Sequence, residues 1–576
     1  MFRFLVLFIV TITLSDCCTN LIVTPEASVD GSSIVAYNAD SSTLYGMLYH
    51  YPAATHKAGD MKQIFDWDSG KYLGEIPEPE VTYNVVGNVN EYGLVIGETT
   101  YGGLSNLQSQ SSAKIDYGSL IWTTLQRAKT AREAIKVLGE LMSEYGYASE
   151  GESFSLADQN EAWIMEIIGK GEYELGAVFV AMRIPAGYVT AHANQARIRT
   201  FPLNDPDNCI YSPDVISFAR NIGVYTGTDE DFSFSDVYDP LTFGGGRFCE
   251  SRVWSFFSSI MGPDFQNEYL NYALGYNISN RMPLFVKPST KISVTDMMKY
   301  MRSHYETMEL SMDGTSFSDV GAITGIPYRA HGLTFMGSNG KQYLHERPIA
   351  TPQTGWNFVA QSRKWMPREL SALLWFGVDD AATTVRFPIY GSASKIPEAF
   401  GGKGPQDGYT PPLMKFSFES AFYVFNLLSN FVVNRYDLIY DEVLSKINTI
   451  ETNYINDIIS IDEKASLLIN TSKEDAIEYV TNYSVSTGNK LVKDWLEYFG
   501  ELFVKYRDGY IITANNENKA CGCNSVGQEY PQQWFDRIIS DTGDHYFYGN
   551  PNEGQTKFTT QDKPSSVPKH VLLSKK

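Results

Sequence analysis

The chain has 576 residues, of which 43% are hydrophobic and 14% aromatic, so it contains enough apolar material for a large core. Its formal net charge is −21 and its pI is near 4.9. This charge excludes nucleic acid as a partner and argues against an anionic membrane surface, because both are bound by basic surfaces. We interpret the acidity as that of a well-hydrated protein surface.

The first 17 residues have the pattern of a secretory leader. Arg3 precedes an apolar run, residues 4–14, and small or polar residues follow up to Cys17. The run is shorter than the roughly 20 residues needed to span a bilayer. We therefore predict a signal peptide over 1–17, no integral membrane span, and a secreted or lumenal protein, with lysosomes or vesicles among the destinations. Three N-glycosylation sequons agree with secretion and begin at Asn277, Asn470 and Asn482.

Strand patterns and helix patterns follow one another after the leader. β-rich runs separated by Gly, Pro or Asp are expected at 20–23, 32–37, 82–88, 93–100, 152–158, 161–168, 177–183, 356–362, 371–376 and 385–389. Two amphipathic helices are predicted between Tyr117 and Tyr145, where Thr130 and Glu133 form a capping-box sequence, and another helix at 293–305. This order predicts an α+β domain of helix-covered sheets over 18–400. A Gly- and Pro-rich stretch separates it from a helical C-terminal region, 413–510, and a polar tail occupies 551–576. Three roles are open for the helical region: it covers the active site, it builds a homo-oligomer, or its helices simply dock on one another, which is the plainest interpretation.

The six cysteines are too few for a disulfide framework. Removal of the leader leaves five, an odd number, so at least one thiol is unpaired or bonds to another molecule. Cys521 and Cys523 lack a second pair at zinc-ligand spacing, so a local disulfide or idle thiols are expected there. No metalloprotease, P-loop or GxSxG motif is present, and we predict no metal and no cofactor.

Cys18 is the principal candidate nucleophile because of its position. Cleavage after Cys17 makes Cys18 the first residue of the mature chain, where its thiol and its α-amine lie on one residue. The ordinary pKa values are about 8.5 for the thiol and about 7.7 to 8.0 for the amine, so the amine can accept the thiol proton near neutral pH. While the leader is attached, that nitrogen is an amide and cannot act as a base.

The sequence around Cys18 resembles a known family. The run "CTNLIVTPEASVDGSSIVAYNADS", residues 18–41, is similar to the amino-terminal signature of the cysteine dipeptidases, which include bacterial dipeptidases and secernins. Further similar runs include "YNVVGNVNEYGLVIGETTYGG" (83–103), "IDYGSLIWTTLQRAKTAREAI" (115–135), "AHANQARI" (191–198) and "GGGRFCESRVWSFF" (244–257). Those proteins are N-terminal nucleophile hydrolases, so the resemblance implies a four-layer αββα sandwich.

The resemblance also implies roles for individual residues. Cys18 is the nucleophile, and Asp40 resembles the aspartate that hydrogen-bonds the catalytic amine or thiol. Asn194 resembles the asparagine whose amide helps to form the oxyanion hole, a role that requires a donor without charge of its own. Arg247 is similar to the arginine held near the thiol, where a cation favours the thiolate, although Arg252 is close enough in sequence to be confused with it.

Three further positions are oxyanion or substrate candidates. Thr100 lies near the place where relatives have a second oxyanion donor, which its backbone amide can supply. Tyr37, just before Asn38, stands where many relatives have an arginine. A tyrosine donates a hydrogen bond but carries no charge at neutral pH, so this departure puts substrate choice in doubt more than chemistry.

The sequence therefore predicts a secreted cysteine dipeptidase that hydrolyses small peptides by acyl transfer through Cys18. Two alternatives remain open. One is an acylase or amidase of the same fold that acts on conjugated acids or N-acyl lipids, and the other is a catalytically inactive secreted binding protein.

Overall fold

The computed structural model describes residues 18–312, 323–328, 333–401 and 412–547. The predicted leader with Cys17 and the predicted polar tail at 551–576 lie outside these ranges. Within them, no helix combines the length and apolar character that a membrane crossing requires.

Two antiparallel sheets contain most of the strand residues. In chain order their strands are β1 (Thr19–Val23), β2 (Ser33–Asp40), β3 (His50–Tyr51), β4 (Val85–Val86), β5 (Val89–Asn90), β6 (Val95–Gly102), β7 (Gly151–Ala157), β8 (Ala162–Gly169), β9 (Ala177–Arg183), β10 (Val189–His192), β11 (Cys209–Tyr211), β12 (Thr354–Ser362), β13 (Ala372–Val378) and β14 (Phe387–Tyr390). The six-stranded sheet has the order β10-β1-β2-β12-β13-β14, and the eight-stranded sheet has the order β11-β9-β8-β7-β6-β5-β4-β3. Short hairpins add the strand pairs Ala54–Thr55 with Val81–Thr82, Met61–Phe65 with Tyr72–Pro77, Thr334–Met336 with Gln342–Leu344, and Tyr510–Ala514 with Cys523–Gly527.

The six-stranded sheet is buried on both faces, which explains why its strands lack polar alternation. Along β2, Val35 belongs to a core cluster shared with Val95 of the eight-stranded sheet. Its neighbour Ile34 belongs to a second cluster, on the opposite face, with Trp254 and Met297. Successive side chains of a strand point to opposite faces, so β2 contributes to the core between the sheets and to the core under the helices.

Helices pack on the outer face of each sheet. The helices are α1 (Tyr117–Leu125), α2 (Ala131–Tyr145), α3 (Val215–Asn221), α4 (Phe234–Tyr238), α5 (Ser251–Met261), α6 (Pro263–Ala273), α7 (Val294–Tyr300), α8 (Arg368–Ser371), α9 (Ala421–Val432), α10 (Tyr436–Ile469), α11 (Lys473–Tyr506) and α12 (Gln532–Thr542). Leu138 of α2 shares a core cluster with Phe154 of the eight-stranded sheet. Trp254 of α5 and Met297 of α7 lie in the cluster on the outer face of the six-stranded sheet.

The two helices predicted between Tyr117 and Tyr145 are confirmed as α1 and α2, and the Thr130 side chain accepts a hydrogen bond from the Glu133 amide at the start of α2. The helix predicted at 293–305 is shorter. It begins after the capping residue Ser293 and ends at Tyr300.

The helical C-terminal region packs into the same core as the sheets. Phe425 of α9 and Trp495 of α11 stack with ring centroids 5.3 Å apart, and both belong to the cluster that contains Cys18. The division into 18–400 and 413–510 stays a prediction. Cys521 and Cys523 form a disulfide, one of the two expected alternatives.

Candidate active site

Cys18 lies immediately before β1 and is 5% exposed, between the two sheets. Its Sγ is 3.4 Å from the Tyr37 hydroxyl and 3.7 Å from Oε1 of Glu98. The Tyr37 hydroxyl also contacts Glu98 Oε1 through a short hydrogen bond, in which the tyrosine is the donor. A thiol, a phenol and a carboxylate therefore meet at one point between β1, β2 and β6.

The surroundings hold the Cys18 thiol in its neutral form. Burial, and next the negative charges of Glu98 and Asp40, raise the pKa of Cys18 well above its ordinary value, against the opposing hydrogen bond from Tyr37. Burial likewise raises the pKa of Tyr37, so its hydroxyl stays protonated. In the chain with its leader, the Cys18 nitrogen is a peptide amide, and the thiol has no adjacent amine to take its proton.

Asp40, the last residue of β2, is held by two partners. Arg347 forms an ion pair with its Oδ2 at 2.7 Å, and the Thr354 hydroxyl donates to its Oδ1 at 2.6 Å. Burial raises the pKa of Asp40, and the charge of Arg347 opposes that rise. Asp40 lines the same cleft as Cys18. The predicted hydrogen bond from the catalytic amine or thiol to this carboxylate stays a prediction.

Asn38 lies on the opposite side of β2 from the thiol. Its Nδ2 donates to the carbonyls of Met301 and Ile349 at 3.1 and 3.0 Å. Asn38 therefore links β2 to the end of α7 and to the chain at Ile349, and these contacts do not support a role in substrate binding. Tyr37, by contrast, contacts Cys18 directly.

Arg252 is the arginine that contacts the Cys18 backbone. It is fully buried, and its guanidinium donates to the carbonyl of Cys18 at 2.6 Å and to the hydroxyl of Thr19 at 2.8 Å. It also donates to the carbonyl of Ala193 at 3.0 Å and to Oδ1 of Asn194 at 2.9 Å. One side chain thus joins the residue before β1 to the candidate oxyanion residue.

Arg247 lies elsewhere in the same run. It sits in a π-helical turn, Gly245–Glu250, that leads into α5, and its guanidinium makes a two-pronged ion pair with Glu346. A further bond runs to the carbonyl of Leu274 at 3.3 Å. The role predicted for Arg247 is untested, but the contacts described for the Cys18 backbone belong to Arg252.

Asn194 and Thr100 lie side by side. Asn194 has a left-handed backbone with φ of 62°, a conformation that asparagine tolerates better than most residues. Its Nδ2 donates to the Thr100 carbonyl at 2.6 Å, and the Thr100 hydroxyl donates to Glu152 at 2.7 Å. Because Arg252 donates to Oδ1 of Asn194, the side-chain amide of Asn194 is fixed with its NH₂ group toward Thr100. Thr100 itself lines the cleft.

A buried polar network supports the strands behind Glu98. The Asn20 amide donates to the Glu98 carbonyl at 2.5 Å, and the Ser155 hydroxyl donates to Asn20 Oδ1 at 3.1 Å. His192 lies between Ser155 and Thr99, 2.7 Å from each hydroxyl. Burial lowers the pKa of His192 to about 3, so the imidazole is neutral and structural.

The cleft over Cys18 is narrow and has aromatic and acidic walls. Its lining comprises Cys18, Tyr37, Asp40, Ser41, Leu44, Trp67, Asp68, Asn88, Glu98, Thr100, Tyr117, Ile121, Trp122 and Trp356. Trp67 and Trp122 stack with centroids 4.0 Å apart. Glu98 was not among the residues predicted from the sequence, and its signal there is a lone carboxylate in the otherwise uncharged run of β6.

Comparison with known proteins identifies the family. The model of Peptidase family C69 matches residues 42–448, well over half of the chain. A probable dipeptidase of Salmonella dublin is 27% identical over 389 residues, which cover 65% of this chain and 80% of that protein. A probable dipeptidase of Latilactobacillus sakei is 23% identical over 403 residues, covering 66% and 76%. Probable dipeptidase B of Streptococcus pyogenes serotype M1 is 23% identical over 422 residues, covering 68% and 76%.

These matches confirm the resemblance found in the sequence. The matched family region begins after Cys18, so the assignment of the nucleophile rests on the geometry around the thiol. The chain belongs to Peptidase family C69 and is a cysteine-type peptidase.

Proposed function

We propose that the protein is a secreted or lumenal dipeptidase whose nucleophile is Cys18, exposed as an N-terminal residue when the leader is removed. The observation that carries the proposal is the position of Cys18, a buried thiol that lines a narrow cleft and lies 3.4 Å from the Tyr37 hydroxyl. Relatives similar to this chain bear the name probable dipeptidase, which supports dipeptides as the substrates.

The proposed reaction is acyl transfer in two steps. The free α-amine of Cys18 accepts the thiol proton, and the thiolate attacks the carbonyl carbon of the peptide bond. The amine then returns the proton to the leaving nitrogen, the C–N bond breaks, and a thioester remains on Cys18. Water, deprotonated by the same amine, attacks the thioester and releases the acyl product and the thiol. No metal or cofactor is needed to balance these steps.

Asn194 and Thr100 are proposed to stabilise the negative charge that develops on the carbonyl oxygen. Their support is the fixed orientation of the Asn194 amide, whose Oδ1 is held by Arg252. A preorganised donor of this kind contributes about 3 kcal/mol to transition-state stabilisation in acyl transfer.

The finer fold assignment is part of the same proposal. Two face-to-face sheets with helices on both outer faces fit a four-layer αββα N-terminal nucleophile sandwich, in which the nucleophile begins a strand at the inner face. Cys18 immediately precedes β1 and belongs to the cluster between the sheets, which supports this assignment.

Secretion, with lysosomal or vesicular delivery as its variants, is proposed from the sequence of the leader. The three sequon asparagines give further support, because Asn277, Asn470 and Asn482 are all exposed and therefore accessible to glycosylation. A homo-oligomer stays a prediction.

The test is hydrolysis of a panel of dipeptides, bile-acid conjugates and N-acyl lipids by the secreted protein, beside a Cys18→Ala variant. Dipeptide hydrolysis that disappears in the variant is the expected result. Cys18-dependent cleavage of another amide would replace the proposal with an acylase, and correctly processed protein without any Cys18-dependent activity would indicate a binding protein.

A further inference from the structure

We propose that Glu98 is the residue that binds the α-ammonium group of the substrate and so selects peptides with a free amino terminus. This inference rests on the proposed Cys18 dipeptidase and assigns one subsite within its cleft.

The distances favour this position. A thiolate attacks a carbonyl carbon from about 3 to 3.5 Å. The α-nitrogen of a dipeptide lies two bonds from that carbon, about 2.5 Å away by standard peptide dimensions. Oε1 of Glu98 is 3.7 Å from Cys18 Sγ. A peptide with its carbonyl carbon over the sulfur can therefore place its α-nitrogen within hydrogen-bond reach of this carboxylate.

The charge of the cleft also favours a cation. Among the described residues that line it, Asp40, Asp68 and Glu98 are acidic and none is Lys or Arg. Arg347, outside the lining, compensates Asp40 through their ion pair. Glu98 and Asp68 line this space beside its aromatic walls, and ring faces attract a cation.

Glu98 can accept the ammonium without giving up its present partner. The Tyr37 hydroxyl donates to Oε1, and a carboxylate accepts several hydrogen bonds through its two oxygens. Tyr37 is an uncharged donor, so the position beside Glu98 contributes no cation that would compete with the substrate.

Asp68 is the alternative carboxylate of the same cleft. Its Oδ1 accepts a hydrogen bond from the Tyr117 hydroxyl at 2.9 Å, and the carboxylate described beside Cys18 Sγ is Glu98. Asp68→Asn is therefore a matched comparison, because it removes one acidic group from the lining.

The experiment compares alanyl-alanine with propionyl-alanine, which lacks only the α-ammonium group. Wild-type protein should hydrolyse alanyl-alanine with the higher kcat/KM. Glu98→Gln should lower kcat/KM for alanyl-alanine by about tenfold to a hundredfold, the typical worth of a charge-assisted hydrogen bond. The ratio of the two kcat/KM values, alanyl-alanine over propionyl-alanine, should fall by about the same factor, because any effect of the lost Glu98 charge on the Cys18 thiol acts on both substrates alike.

Binding to Cys18→Ala protein gives a second readout that needs no hydrolysis. Calorimetry should show preference for alanyl-alanine, and Glu98→Gln in that background should abolish it. If the two substrates lose activity equally in Glu98→Gln, the carboxylate serves the Cys18 amine or thiol and the inference is wrong. If Asp68→Asn alone removes the preference, the assignment to Glu98 is also wrong. Wild-type protein that binds with the preference but hydrolyses neither compound would overturn the proposed function and leave the inference standing.

Discussion

Replacement of Arg252 by lysine tests how the Cys18 segment is held. The Arg252 guanidinium makes five hydrogen bonds: four go to Cys18, Thr19, Ala193 and Asn194, and the fifth runs from Nε to the Phe248 carbonyl at 2.8 Å. A lysine ammonium has three donors at most, so at least two buried acceptors lose their partner in Arg252→Lys.

The expected loss follows from that difference. Each buried polar group left without a partner costs about 1 to 3 kcal/mol, so the variant should lose about 2 to 6 kcal/mol of stability. Loss of the bond to Asn194 also frees the amide that we propose to stabilise the oxyanion. Removal of such a donor typically lowers kcat by about a hundredfold to a thousandfold.

The assay combines thermal unfolding with dipeptide hydrolysis at a temperature where the variant is still folded. Arg247→Lys is the matched control, since its arginine lies five residues earlier and can keep an ion pair with Glu346 as lysine. We expect a lower melting temperature and a loss in kcat for Arg252→Lys, and small changes for Arg247→Lys. The reverse pattern would show that Arg247 has the role its sequence motif predicts and would refute the reasoning about Arg252.

Two further predictions concern stability. A Cβ on Gly97 would lie 2.2 Å from Asn20 Oδ1, so Gly97→Ala should force β1 away from β6 and cost about 1 to 3 kcal/mol. Gly500→Ala, in α11 with open space around it, should not lower the melting temperature, and equal losses in both variants would contradict this explanation. Burial raises the pKa of Glu166 to about 7, above its ordinary value, so the folded state binds the proton more tightly than the unfolded state. The stability from this group is present below about pH 4.5 and is lost as the pH rises to about 7, a change of about 3 kcal/mol. The free energy of unfolding, measured with urea at pH 5 and pH 7.5, should change less between the two pH values in Glu166→Gln than in wild type. An identical change in both proteins would contradict the raised pKa of Glu166.

The strands and helices around Cys18 could be predicted because their signals are local. The β-rich runs before and after Gly31 became β1 and β2, and the capping sequence at Thr130 begins α2. The helices between Val215 and Ala273 were not predicted, since several are short and their apolar residues face a core formed by distant strands. Burial of this kind depends on tertiary packing, which no local pattern contains.

The site was predictable in part. Strand geometry alone shows that Tyr37 and Asn38 point to opposite faces, so only one of them can face the thiol. The choice between Arg247 and Arg252 depends on the path of the π-helical turn and α5, which the sequence does not reveal. Glu98 could not be predicted because it depends on how the two sheets pack, which brings β6 against the start of β1.

The most direct test of Cys18 catalysis is amino-terminal sequencing of secreted protein that hydrolyses a dipeptide. The account predicts that the active protein begins with Cys18, because only then does the thiol have an adjacent amine. Active protein that begins at Thr19 or later, or that retains the leader, would contradict the assignment of Cys18 as an N-terminal nucleophile.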